Sequence, residues 1–169
     1  MMKRLFTAVL VLMAMAGPAA SQSIVPAEWK FLTGNREEYI DSAKNDYWWN
    51  DISPLTVWEK QGFAGYDGFA WYRVKVVVPG SMKKNALKYG GLMLNLGKID
   101  DADETWFNGH LVGRTGKMPP GYIGAYNVPR SYLIPPEYIR WNGKNTIAVR
   151  VYDAGGDGGL WGGPVELTN

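Results

Sequence analysis

"FAWYRVKVVVP", residues 69–79, decides how this chain folds. Tyr72, Val74, Val76 and Val78 recur at every second position, while Trp71, Arg73 and Lys75 take the alternate ones. An extended strand has a side-chain period of two, so it alone gathers the first set on one buried face. Pro79 brings no N–H to a ladder and stops the strand. The same alternation returns in "LMLNLG", residues 92–97, with Leu92, Leu94 and Leu96 inward. It returns again in "NTIAVRVYD", residues 145–153, where Ile147, Val149 and Val151 alternate with Ala148, Arg150 and Tyr152.

Between these runs, "ETWFNGHLVG" (104–113) carries Asn108-Gly109, a hairpin signal because both turn positions need positive φ. "YNVPRSYLIP" (126–135) reads as an edge strand broken by prolines, and "AEWKFLTG" (27–34) and "SPLTVWE" (53–59) as two weaker strands. A last alternation runs through Pro164, Val165, Glu166 and Leu167. Helix is expected only as a turn in "NREEYIDSAK" (35–44) and another in "PPEYIRW" (135–141). About eight short strands with turn signals between them predict an all-β jelly-roll sandwich of two antiparallel sheets. Trp29, Trp49, Trp58 and Trp71 are expected in its core or packed on its sheets.

The start of the chain reads differently. Lys3 and Arg4 precede an apolar run from Leu5 to Ala16, then "GPAASQ" with Ala19 and Ser21 at small positions. This is the pattern of a secretory signal peptide, so residues 1–21 are expected to be removed and 22–169 to form one jelly-roll domain in the periplasm or outside the cell. The apolar run is too short to span a bilayer, and no second one approaches that length. There is no cysteine, which excludes a disulfide framework. Without Lys3 and Arg4 the 18 basic residues become 16, against 16 acidic ones. A near-zero balance with no basic run argues against nucleic acid as a partner.

Two clusters invite a chemical reading. "KIDDADETWFNGHLVG" (98–113) holds Asp100, Asp101, Asp103 and Glu104, and then His110, the single histidine. The acids lack the spacing, glycine and distal glutamate of an EF-hand loop. A structural calcium ion is conceivable, but Asp100 and Asp101 read better as the corner leaving the strand of Leu92 to Leu96, accepting backbone N–H bonds. In the strand that follows, Thr105 and Phe107 are expected inward, Glu104 and Trp106 outward. His110 follows a turn and is expected exposed. Ser23, Ser42, Ser53, Ser81 and Ser131 lie in no G-x-S-x-G turn, so no serine triad is read, and acids adjacent on a corner do not face each other across a cleft as glycosidase carboxylates do. No catalytic, metal-ligating or cofactor residue is assigned.

"GYDGFAWYRVKVVVP", "LNLGKIDDADETWFNGHLVGRTG", "YNVPRSYLIP" and "GKNTIAVRVYDAGGDGGLWGGP", in this order, resemble the galactose-binding-like jelly-roll domain of sialate O-acetylesterases. More distantly they resemble the sugar-binding domain of glycoside hydrolase family 2. The opening "EWKFLTG", the D-x-x-W step of Asp46 and Trp49, and "VWEKQGF" fit as well, so the resemblance covers residues 22–169. It implies an accessory unit without the catalytic residues, which in those enzymes sit in a separate domain.

Sugars offer apolar ring faces and rigid hydroxyls, so aromatic and polar loop residues are the binding candidates. They are Tyr66 and Asp67 in "GYDG", Arg114, Tyr122 and Tyr126 in "RTGKMPPGYIGAY", and Asp153, Asp157 and Trp161 in "DAGGDGGLWGG". The last stretch has six glycines, expected to let backbone approach a partner closely, and in the resembled enzymes its counterpart lies toward the catalytic domain. The expected function is a secreted carbohydrate- or glycoconjugate-binding module serving glycan breakdown. The alternatives are an accessory domain acting with a separately encoded esterase or glycosidase, and a protein-interaction module using a strand edge or an apolar patch.

Overall fold

A computed structural model describes residues 24–169, and the expected signal peptide, 1–21, lies outside the described residues. Among the latter run nine strands: β1 (Trp29–Thr33), β2 (Asn50–Ile52), β3 (Gly68–Val77), β4 (Leu92–Asp100), β5 (Ala102–Phe107), β6 (His110–Thr115), β7 (Pro129–Ile134), β8 (Lys144–Asp153) and β9 (Gly159–Thr168). One sheet has the order β2-β1-β3-β8-β5-β6 and the other β7-β4-β9, with every pair antiparallel. This is the expected all-β sandwich. None of the helices in the described residues is long and apolar enough to cross a membrane.

The alternating residues meet between the sheets. Tyr72, Val74 and Val76 of β3 face the same interior as Ile147, Val149 and Val151 of β8, with Leu92, Leu94 and Leu96 of β4 opposite. Each large aliphatic side chain buried there stabilises the fold by about 1.5–3 kcal/mol. In β4 the alternation slips: Leu96 and Ile99 are both fully buried because the register shifts at Gly97. Gly97 has φ 66°, and a Cβ there would stand 2.8 Å from the Trp161 carbonyl oxygen, so only glycine fits this bulge.

The outer face of the larger sheet is covered as well. Trp71, Trp106 and Ala148 pack against Tyr39 and Trp49 from the excursion between β1 and β2. Arg73 holds that excursion down. Its guanidinium donates to Asp46 Oδ2 (3.1 Å) and to the carbonyls of Tyr39 (2.7 Å), Asp41 (3.0 Å) and Lys44 (3.2 Å), with no exposed surface. A strand cation that looks solvent-facing by alternation is here a buried clamp.

Two expectations are corrected. Residues 53–59 are no strand: Pro54 cannot donate to a ladder, and the chain turns into a 3-10 segment at Trp58–Gln61 so that Trp58 plugs the sandwich end. A short helix α1 (Lys83–Tyr89), closed by Gly90 at φ 84°, was not foreseen, because a seven-residue segment with one buried residue, Ala86, carries no apolar stripe. The Asn108-Gly109 hairpin forms as expected, with φ of 52° and 86°.

The sheets also meet where β6 crosses Tyr132 of β7. A Cβ on Gly113 would stand 2.0 Å from a carbon of the Tyr132 ring. Gly113→Ala is therefore expected to cost about 1–3 kcal/mol by overpacking, measured by urea unfolding. A loss within error of zero would show that Tyr132 can move aside freely.

Candidate functional site

Several strand ends converge at one end of the sandwich. β3 begins at Gly68 opposite Asp153, the last residue of β8, while Ala102, the first of β5, pairs with Tyr152. Asp100, the last of β4, pairs with Gly159, the first of β9. Asp100 and Asp101 thus form the corner where the chain leaves the smaller sheet for the larger, as their turn chemistry predicts. Asp101 Oδ2 accepts the N–H of Ala154 (3.1 Å), and its backbone carbonyl accepts the N–H of Ala125 (3.0 Å). Carboxylate oxygens of Asp100, Asp101 and Asp153 all lie within 4.8 Å of one another. His110 sits at the far end of β5, about 17 Å away along the strand, exposed and stacked on Tyr138.

Arg130 builds this end from beneath. Fully buried, it pairs with the equally buried Asp103 (2.9 Å) and donates to the carbonyls of Asp101 (2.9 Å), Ala125 (2.6 Å) and Val128. The loop before β7 is thereby tied to the corner, and Tyr122 on that loop stands close enough to Asp101 that burial and then that carboxylate push its hydroxyl's pKa up. The ring of Tyr122 stands edge-on to Tyr152 at 5.5 Å.

The electrostatics are those of crowded acids. Burial, then the hydrogen bond and charge of Asp101, then the charge of Asp153 push the Asp100 carboxyl up to about 7, and Arg130 only partly offsets them. Burial also pushes Asp153 up to about 6; the Gly155 N–H acts against the shift, while Asp101, Asp67 and Glu59 add to it. Both folded values lie above the ordinary carboxylate value near 4, so the folded state binds more protons than the unfolded one between about pH 4 and 7. Stability from these groups is greatest below that window and falls as pH rises through it. The melting temperature of chelator-treated protein is expected to drop from about pH 5 to pH 8, and Asp153→Asn to flatten the drop. An unchanged profile in the variant would remove these carboxyls as the cause.

The sequence candidates separate into groups. Asp67, exposed beside the glycine-rich loop, Tyr122, Asp153 and the loop carrying exposed Asp157 all belong to this end. Tyr66 lies beneath them as a strut: its hydroxyl donates to the Phe69 carbonyl (2.6 Å) and accepts the Gly34 N–H (3.2 Å), and its ring packs on Trp58. Tyr126 is exposed on the loop before β7. Arg114 lies apart, lining a cleft of about 350 Å³ with Glu104, Lys117 and Arg150 on the outer face of the larger sheet. Trp161 pairs with Lys98, whose ammonium covers its ring at 4.8 Å.

The glycines of residues 153–163 also divide. A Cβ on Gly158 would meet the Trp58 ring at 2.3 Å, and one on Gly159 the Tyr72 hydroxyl at 2.3 Å. Their close approach is to the protein's own core rather than to a partner. Glu59, which sequence reasoning passed over, fastens this loop by accepting the Gly158 N–H (2.8 Å). So does Trp58, whose own N–H donates to the Gly158 carbonyl (3.0 Å). The sequence reads Asp100 and Asp101 as a corner and does not bring Asp153 to them. That meeting needs the long-range β5–β8 and β4–β9 pairings.

No protein-family model and no curated protein matches the sequence. Solved structures do match it. A Bacteroides uniformis beta-glucuronidase shares 27% identity over 82% of this chain at a TM-score of 0.64, and a glycoside hydrolase family 2 member from Bacteroides cellulosilyticus shares 19% over 79% at 0.59. A Ruminococcus gnavus beta-glucuronidase shares 15% over 78% at 0.60. The chain spans 16%, 18% and 21% of those three chains. The likeness bears out the expected fold, the galactose-binding-like jelly roll of the family 2 sugar-binding domain.

Proposed function

We propose that this protein is a carbohydrate-binding jelly-roll module that takes a glycan at the acid-rich end of its sandwich and serves glycan breakdown in the periplasm or outside the cell. The observation that carries the reading is convergence. Asp67, Tyr122 and Asp153, chosen as residue types that suit sugars, meet at one end of a fold that recurs within glycoside hydrolases. The exposed carboxylate of Asp67 accepts bonds from sugar hydroxyls and exposed Tyr122 offers an apolar ring, while fully buried Asp153 acts only through its charge. The balanced charge fits a neutral or weakly charged ligand better than a polyanion.

Isothermal calorimetry and a glycan array test this directly. Tyr122→Ala is expected to weaken binding about tenfold, the loss of roughly 1.4 kcal/mol. Trp161→Ala is expected to matter less, because Lys98 already covers that ring. No heat at millimolar sugar, with the Tyr122 variant indistinguishable from the parent, would end the proposal.

A second reading takes its support from the kind of protein in which this fold recurs, glycoside hydrolases. On that reading the module docks on a separately encoded esterase or glycosidase, with the Asp153–Gly163 stretch toward the partner's active site. Mixing the two would then raise the hydrolase's rate. A pull-down from the native envelope that recovers no hydrolase argues against it.

A further inference from the structure

We propose that Asp100, Asp101 and Asp153 form a binding site for a single divalent cation of the calcium type. Each offers a carboxylate oxygen, and the three lie within 4.8 Å of one another. Acids at a loop corner are common and by themselves show nothing, but Asp153 is different in kind. It has no exposed surface, one carboxylate oxygen accepts the Gly155 N–H (3.2 Å), and the other, Oδ2, is buried without a hydrogen-bond partner. A buried carboxylate oxygen left unpaired is costly unless something fills its coordination.

The protein does not supply the missing charge. Among the described residues no lysine or arginine forms an ion pair with Asp100, Asp101 or Asp153. Arg130, near enough to act on Asp100, spends its donors on Asp103 and three backbone carbonyls. Asp67 and Glu59 add further negative charge around Asp153.

The donor set favours calcium over magnesium. Magnesium demands near-ideal octahedral geometry, keeps several of its waters and is held by one or two carboxylates, whereas calcium accepts several carboxylates in flexible geometry. Calcium takes six to eight oxygens, so three carboxylates leave positions open on the side of Asp100, which is only partly buried. Water or ligand hydroxyls would complete the shell. The site stands whether or not the module binds sugar.

The test uses full-length protein stripped with chelator, titrated with calcium chloride by calorimetry and with terbium by luminescence sensitised from the nearby tyrosines. Saturable binding of one ion is expected, with a higher melting temperature in calcium and a weaker effect from magnesium. Because Asp153→Asn is a buried change, Asp100→Asn is the second variant. It should fold like the parent and lose about tenfold or more in affinity. Absence of heat and of a melting shift at millimolar calcium overturns the proposal. So does calcium binding left equal to the parent's in both variants.

Discussion

Replacing Arg73 by methionine is expected to lower the unfolding free energy by about 3–5 kcal/mol in a urea titration, the range for breaking a buried ion pair by removing one partner. The loss comes from what remains behind. Asp46 keeps a side chain only 8% exposed, now paired only with the half-exposed Lys75, and the carbonyls of Tyr39, Asp41 and Lys44 lose their donor. Trp49 and Tyr39, which close over Trp71, lose the clamp that seats them. Arg73→Lys keeps the charge but not the planar fork that reaches four acceptors, so an intermediate loss is expected. A loss under about 1 kcal/mol for the methionine variant would mean the excursion is held by its aromatics alone.

Arg130→Met is expected to cost as much, about 3–5 kcal/mol, with a different signature. Its partner Asp103 has a fully buried side chain, and burial already raises its carboxyl above the ordinary range against the opposing pull of Arg130, Tyr132 and Thr105. Without Arg130 that rise grows. The folded variant then takes up a proton that the unfolded chain takes up only near pH 4, so its deficit is largest at neutral pH and shrinks toward acid. Unfolding measured at neutral and mildly acidic pH checks this, and a pH-independent deficit counts against a stranded Asp103 carboxylate. Because Arg130 also ties the loop of Tyr122 to the Asp101 carbonyl, this variant is expected to weaken ligand binding, which Arg73→Met leaves intact.

The contrast between these arginines and the valines shows what a sequence can disclose. The period of two in β3, β4 and β8 names the core directly, because one buried face is enough to fix which residues point inward. Asn108-Gly109 names its hairpin for a similarly local reason, the positive φ of both residues. Arg73 fits the outward phase correctly, yet that phase says nothing of the excursion from residues 34–49 that covers it. Residues 53–59 look strand-like because Leu55, Val57 and Trp58 suit a sheet, but Trp58 is needed as an end plug instead.

The site divides in the same way. Asp67, Tyr122 and Asp153 were legible as residue types that suit a sugar, the first two on loops between strands and the third at the end of β8. Their assembly was not, because it depends on long-range pairings: Gly68 with Asp153, Tyr152 with Ala102, Gly159 with Asp100. Arg114 and Trp161 satisfied the same chemical criterion and went elsewhere. The six glycines looked like a surface for a partner, and two of them turn out to make room for Trp58 and Tyr72.

Titrating the protein with candidate monosaccharides while recording its backbone amide spectrum tests the central claim most directly. The proposed site predicts saturable shifts gathered on Asp67, Asp101, Tyr122 and residues 153–158, with the amides around Arg114 and Trp161 nearly still. No shifts at millimolar sugar, or shifts centred on the cleft of Arg114, Lys117 and Arg150, would contradict it.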